Sequence, residues 1–193
     1  NQFVYDYADY DGAEKSLVYE FVIRTYHAGG QWTFREFSTT DLAENVGRYD
    51  LKEKALMFAV VSEKPDTQKP ELDLNAIRIQ AVSRRPDAPN GEPDVTIWYG
   101  ARDDNSGLGW VNYQLLKPTG DTLFDYHYHD NFHAPYFIGD PTKMQLYEIK
   151  LTLPPGSPPG TWILQQLVLK DKAGNALTSN FIEIGILKPF EIK

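Results

Sequence analysis

The stretch with the densest chemical potential in this chain is FDYHYHDNFH, Phe124 to His133. On a β-strand, side chains two apart project from one face, so Asp125, His127 and His129 would lie side by side, with neighbours about 7 Å apart. Imidazoles so spaced, with His133 returning from the following loop, are the ligand types of a Zn²⁺ site. The bland alternative is a surface strand whose histidines are solvated or rest on Tyr126 and Tyr128, and no His-Glu-x-x-His helix strengthens the metal. A second group, RDDNSG from Arg102 to Gly107, brings Asp103, Asp104 and Asn105 together at a strand end. These are hard oxygen donors, suited to Ca²⁺ if another loop completes the shell. They are also the residues of an ordinary turn, in which Asp and Asn accept backbone N–H bonds and Gly107 takes a positive φ. The spacing is not that of an EF-hand. Ca²⁺ is the one cofactor these residues suggest, and otherwise none is expected.

Exposed aromatics offer a third chemistry. Trp98, Trp110, Tyr126 and Tyr128, with Tyr113 and Tyr136, could stack on sugar rings as a carbohydrate platform, although most aromatics in a two-sheet protein are needed for the core. Trp98 has the opposite strand parity to Val95, Ile97 and Tyr99, so one of these two sets faces outward. Catalytic signatures are missing: there is no G-x-S-x-G elbow, glycine-rich phosphate loop or cysteine nucleophile. The chain is expected not to be an enzyme.

The elements that must position these residues follow from composition and pattern. The 193 residues are 41% hydrophobic and include 12 Tyr, 10 Phe, 4 Trp, 13 Pro and 14 Gly, which favours many short strands joined by turns. A net charge of −8 argues against binding a phosphate backbone, so no nucleic-acid partner is expected. Without cysteine there are no disulfides or thiolate sites. No apolar run approaches the roughly 20 residues that span a bilayer, so no membrane insertion is expected. The start NQFVYDYADYDG has no signal-peptide pattern, which leaves a signal either absent or already removed.

One phrase occurs twice. GQWTFREFSTTDLAEN (Gly30 to Asn45) and GTWILQQLVLKDKAGN (Gly160 to Asn175) align on Trp32 and Trp162, 130 residues apart, and share Asp41/Asp171, Ala43/Ala173 and Asn45/Asn175. Upstream of each lies a strand-like run, Leu17–Ile23 and Leu146–Leu151. The pattern reads as a duplication with a domain-sized period. In the second copy Trp162 and Leu164 share one parity, Leu167 and Leu169 the other. The first copy changes phase in the same way, from Trp32 and Phe34 to Phe37. One extra residue flips every later side chain, so both copies should contain a β-bulge. Trp162, Leu164, Leu167 and Leu169 are expected in the core, with Trp32, Phe34 and Phe37 as their counterparts.

The phrase G-T-W-x-L-x-x-x-x-L-x-D-x-A-G-N resembles the closing strands of bacterial immunoglobulin-like (Big-type) domains of secreted and cell-surface proteins. GARDDNSGLGWVNYQL (Gly100 to Leu115) is similar to an earlier part of the same modules. The resemblance implies an all-β, immunoglobulin-like Greek-key β-sandwich, and an extracellular or cell-surface place for it. It also implies a role as spacer, stalk or adhesion module with no shared active site. The full domain should hold about seven strands: Leu74–Val82, Val95–Ala101, Trp110–Lys117, Thr122–Tyr128, Met144–Leu153, Trp162–Lys170 and Phe181–Leu187. Residues 1–62 then form a partial domain of closing strands, 63–73 a proline-bearing linker, and 74–193 a complete domain. Such a partial domain points to a longer chain and exposes strands through which it could dimerise or accept a partner strand. Expected partners are other domains of the same polypeptide and a protein or carbohydrate ligand.

Overall fold

A computed structural model describes residues 20–82, 92–128, 140 and 142–193 of the chain, with the side chains of Phe124, Tyr126, His127 and Tyr128 left out. The chain divides into two compact units, Asn1–Asp66 and Thr67–Lys193.

Unit 2 is a β-sandwich. In β6 (Asp94–Arg102) Val95, Ile97, Tyr99 and Ala101 are buried while Thr96 and Trp98 between them are only half-buried. This is the period-two pattern of a strand with one wet face. It lies between β5 (Glu71–Val82) and β9 (Gln145–Thr152), antiparallel to both, with Ile97 opposite Ile79 and Ile149. Tyr99 pairs with Tyr147, their rings stacked at 5.6 Å. Arg102 closes the end of this sheet with a two-pronged bond to the Glu71 carboxylate, at 2.7 and 2.8 Å.

The second sheet runs β11 (Ala176–Asn180), β10 (Gly160–Asp171), β7 (Leu108–Leu116), β8 (Thr122–Tyr128). β12 (Pro189–Ile192) pairs with the first part of β10. The β10–β7 register shifts between Leu164 and Gln166, and on both sides of that shift the inward residues, Trp162, Leu164, Leu167 and Leu169, are wholly buried. The sequence phase change is therefore a bulge that keeps all four side chains on one core. That core joins Ile97, Tyr99 and Ile149 of one sheet to Tyr113, Trp162 and Leu167 of the other.

Three expectations need correction. Phe181–Leu187 is not a strand: it is turn and loop, and the pairing is done by β11 before it and β12 after it. The Asn180 side chain accepts the N–H groups of Ile182 and Glu183, which diverts the backbone from a ladder. Of the expected strand at Leu17–Ile23, Glu20–Ile23 is without strand pairing, and Leu17–Tyr19 lies outside the described residues. Finally, β5 begins at Glu71, inside the stretch expected to be linker.

Among its described residues unit 1 contains two antiparallel pairs, β1 (Gly30–Thr33) with β4 (Met57–Val60) and β2 (Glu36–Thr40) with β3 (Val46–Asp50). Its internal geometry matches that of β10 and its neighbours. Trp32 sits opposite Phe58 as Trp162 sits opposite Phe190, and Phe37 opposite Tyr49 as Leu167 opposite Ser179. Each indole donates to a carbonyl four residues back, Trp32 to Ala28 and Trp162 to Pro158. At the β10 bulge Phe181 N–H bonds Gln165 C=O at 2.8 Å, and at the matching place in unit 1, where β1 and β2 are separate strands instead of one bulged strand, Leu51 N–H bonds Arg35 C=O at 2.9 Å. The burial does not match. Phe34 is 40% and Phe37 45% exposed, against 0% for Leu164 and Leu167, and Trp32 is only half-buried. Trp32, Phe34 and Phe37 are thus not a core like that of unit 2: Trp32 and Phe34 rest against Phe58, with Phe21 on the edge of Phe34, and Phe37 against Tyr49, contacts that leave the rings partly in water.

Candidate functional site

The acidic loop is built by two turns at one end of unit 2. Between β6 and β7, the Asp103 carboxylate accepts the N–H groups of Asn105 at 3.2 Å and Gly107 at 2.7 Å. Between β10 and β11, Asp171 accepts the backbone N–H and the side-chain amide of Asn175, both at 2.8 Å. Lys172 N–H bonds Gly107 C=O at 2.9 Å and Ala173 N–H bonds Ser106 Oγ at 3.2 Å, so the two turns are laced together. Asp103 and Asp171 are both buried, and a carboxylate oxygen of each lies within 4.8 Å of the other. Two like charges this close in a poorly solvated place repel, and the N–H donors aimed at each carboxylate offset part of that cost.

Of the three residues singled out in this loop, the fold buries Asp103 alone and leaves Asp104 and Asn105 exposed. The Glu71 hydrogen bond raises the Arg102 pKa, and the charge of Asp104 adds a smaller pull in the same direction. The residue that the fold brings to Asp103 is Asp171, which the sequence marks only as a position shared by the two copies of the phrase. Its one sequence signal is its match to Asp41, and Asp41 shows what the shared residue does. Asp41 accepts from Ala43 and Asn45 in the equivalent turn, and the Asn45 side chain and N–H hold its carboxyl below the usual range.

The histidine stretch is only partly described. Cα register sets Asp125 opposite Tyr113 and His127 opposite Val111 in β8. The side chain of His127, and all of His129 and His133, lie outside the described residues, so the Zn²⁺ reading has no geometry here. The platform aromatics do not form one surface. Trp98 is on the outward face of the β5–β6–β9 sheet, whereas Trp110 is on the outward face of the other sheet, with the Lys170 ammonium 5.5 Å from its ring centre. Tyr113 is core, and Tyr126, Tyr128 and Tyr136 lie outside the described side chains. Buried hydroxyls respond as expected: desolvation, aided by Tyr147, raises the Tyr99 phenol well above its ordinary value, and desolvation pushes Tyr147 up to about 12.

In unit 1 the polar group drawn into the aromatic cluster is His27, packed against Tyr26 and Trp32 with ring centres 4.7 and 5.8 Å away. Its Nδ1 accepts the Arg24 N–H at 2.9 Å. Burial, and then the Arg24 charge, lower its pKa, so the neutral ring is favoured.

No family model and no curated protein matches this chain. Among solved structures it is similar to a Northeast Structural Genomics Consortium target, SoR45, at 14% identity and a TM-score of 0.33, covering 61% of this chain and 86% of that one. It is also similar to the putative ApaA protein from Bordetella pertussis, at 12% identity and a TM-score of 0.31, covering 64% of this chain and 94% of that one.

Proposed function

We propose that this chain is a non-catalytic, extracellular, immunoglobulin-like module of a larger bacterial surface or secreted protein, acting as a spacer or as an adhesion and protein-interaction domain. The observation that carries the reading is where the chemically able residues of the twice-used phrase go. Asp41 and Asp171 close turns, while Trp162 fills the core and its counterpart Trp32 is tied to its own loop. The phrase builds a wall, and its indole bond, its Asp–Asn turn and the carbonyl bond at Arg35 and Gln165 recur in both places, which supports the duplication.

A second reading, a carbohydrate-binding accessory module of a secreted hydrolase, is favoured by the outward position of Trp98 between Arg78 and Glu148. Two measurements separate the readings. A spacer or protein-interaction module migrates unretarded through gels containing polysaccharide, and its melting temperature ignores both chelator and added Ca²⁺. Retardation that is lost in Trp98→Ala overturns the first reading for the second. A Ca²⁺-dependent rise in melting temperature that is lost in Asp103→Asn overturns both, and makes the Asp103–Asp171 pair a cation site.

A further inference from the structure

Unit 2 holds the finished form of what unit 1 presents unfinished. β10 gives one edge to β11 and β12 and its other edge to β7. β2 gives one edge to β3 in the register that joins β10 to β11, and no strand lies along its other edge among the described residues. The backbone groups aimed at that open edge can be identified. Arg35 C=O accepts from Leu51 and Asp41 N–H donates to Asn45 C=O, both on the β3 side. Successive residues of a strand direct their backbone groups to alternate sides. Phe37 and Thr39 therefore also serve β3, and the N–H and C=O groups of Glu36, Ser38 and Thr40 face the open edge. All five residues of β2 are exposed, whereas alternate residues of the matching stretch of β10 are buried.

What fills this place in unit 2 defines the chemistry of an occupant. There β7 runs antiparallel to β10 and sets Val111, Tyr113 and Leu115 opposite Leu169, Leu167 and Leu164. We propose that the open edge of Glu36–Thr40 is a docking site for an extended segment of a partner protein, added antiparallel as a further strand. Its apolar residues alternate as in β7, so that one set packs on Phe34 and Phe37. Main-chain hydrogen bonds to Glu36, Ser38 and Thr40 supply the affinity, and the exposed rings supply selectivity for an aromatic or aliphatic set. The proposal narrows the protein-interaction reading to one strand edge. It rests on unit 1 alone, so failure of the polysaccharide and metal outcomes above leaves it intact.

The test is to titrate the intact chain with a synthetic peptide carrying LGWVNYQLL, the sequence of Leu108–Leu116, flanked by lysines for solubility, while following amide hydrogen exchange. The expected result is exchange slowed about tenfold or more at Glu36, Ser38 and Thr40, with unit 2 unchanged and no effect from a peptide whose apolar alternation is scrambled. Ser38→Pro removes the central outward donor yet leaves the β3 bonds of Phe37 and Thr39, a place where an edge strand tolerates proline. It should weaken peptide binding about tenfold or more while the Phe37 and Thr39 amides stay protected. Phe37→Ser, at an exposed ring, should weaken binding without touching the backbone. Unchanged exchange at Glu36–Thr40, or peptide binding by both variants equal to the parent, overturns the proposal. Protection of the same amides without peptide, rising with protein concentration, overturns it in favour of a second copy of this chain.

Discussion

Trp162 and Trp32 show how far one residue's role depends on what lies across from it. Both indoles donate to a carbonyl four residues back, and both stand opposite a phenylalanine, with ring centres 6.2 and 6.4 Å apart. Only Trp162 is fully enclosed. Replacing it with alanine opens a cavity that the surrounding side chains cannot fully collapse into, and Trp162→Ala should cost about 3–5 kcal/mol. Trp32→Ala removes less buried area, and should cost about half that or less. Urea unfolding of the two variants measures both. An equal loss would show that the indole's local hydrogen bond, not its enclosure, sets its worth.

At the scale of elements, the shared turn carries a conformational cost that the two copies meet differently. Gly174 has φ +99°, and Glu44 in the equivalent place has φ +65°, a left-handed conformation that a residue with a Cβ adopts at a penalty. Glu44→Gly relieves that penalty but gives the unfolded chain more freedom, so a net stabilisation of up to about 1 kcal/mol is expected. Gly174→Ala should destabilise by about 1–2 kcal/mol. Denaturant midpoints moving the opposite way would mean the Asp–Asn bonds, not backbone strain, govern the turn.

The same elements show what was legible in the sequence. The bulge was readable because burial leaves a parity record, with Trp162 and Leu164 on one side of it and Leu167 and Leu169 on the other. Phe181–Leu187 misled because its apolar residues read as a strand, whereas a side chain at Asn180, invisible to hydrophobic pattern, captures the backbone. In the acidic loop, Asp103 was readable as a turn former, but its approach to Asp171 depends on pairing β7 with β10, a long-range contact no local spacing encodes.

For the whole molecule, the unequal finish of the two units sets the expected unfolding behaviour. The buried hydrophobic cluster consists of unit 2 residues, from Ile77 to Ile192. Unit 1 instead exposes Phe34, Phe37, Val46, Tyr49 and Met57, and a body of its size buries too small a fraction of its surface to be more than marginally stable. The net charge of −8 keeps such a surface in solution by mutual repulsion without adding to its stability. Calorimetry of the intact chain should therefore show two transitions, the lower from unit 1 and the upper from unit 2. Trp32→Ala should move only the lower and Trp162→Ala only the upper. The peptide that completes the β2 edge should raise the lower transition and leave the upper where it was, since a ligand stabilises the state that binds it. A single transition, with calorimetric and van't Hoff enthalpies equal, would mean that the exposed strands of unit 1 are held by something stronger than their own packing.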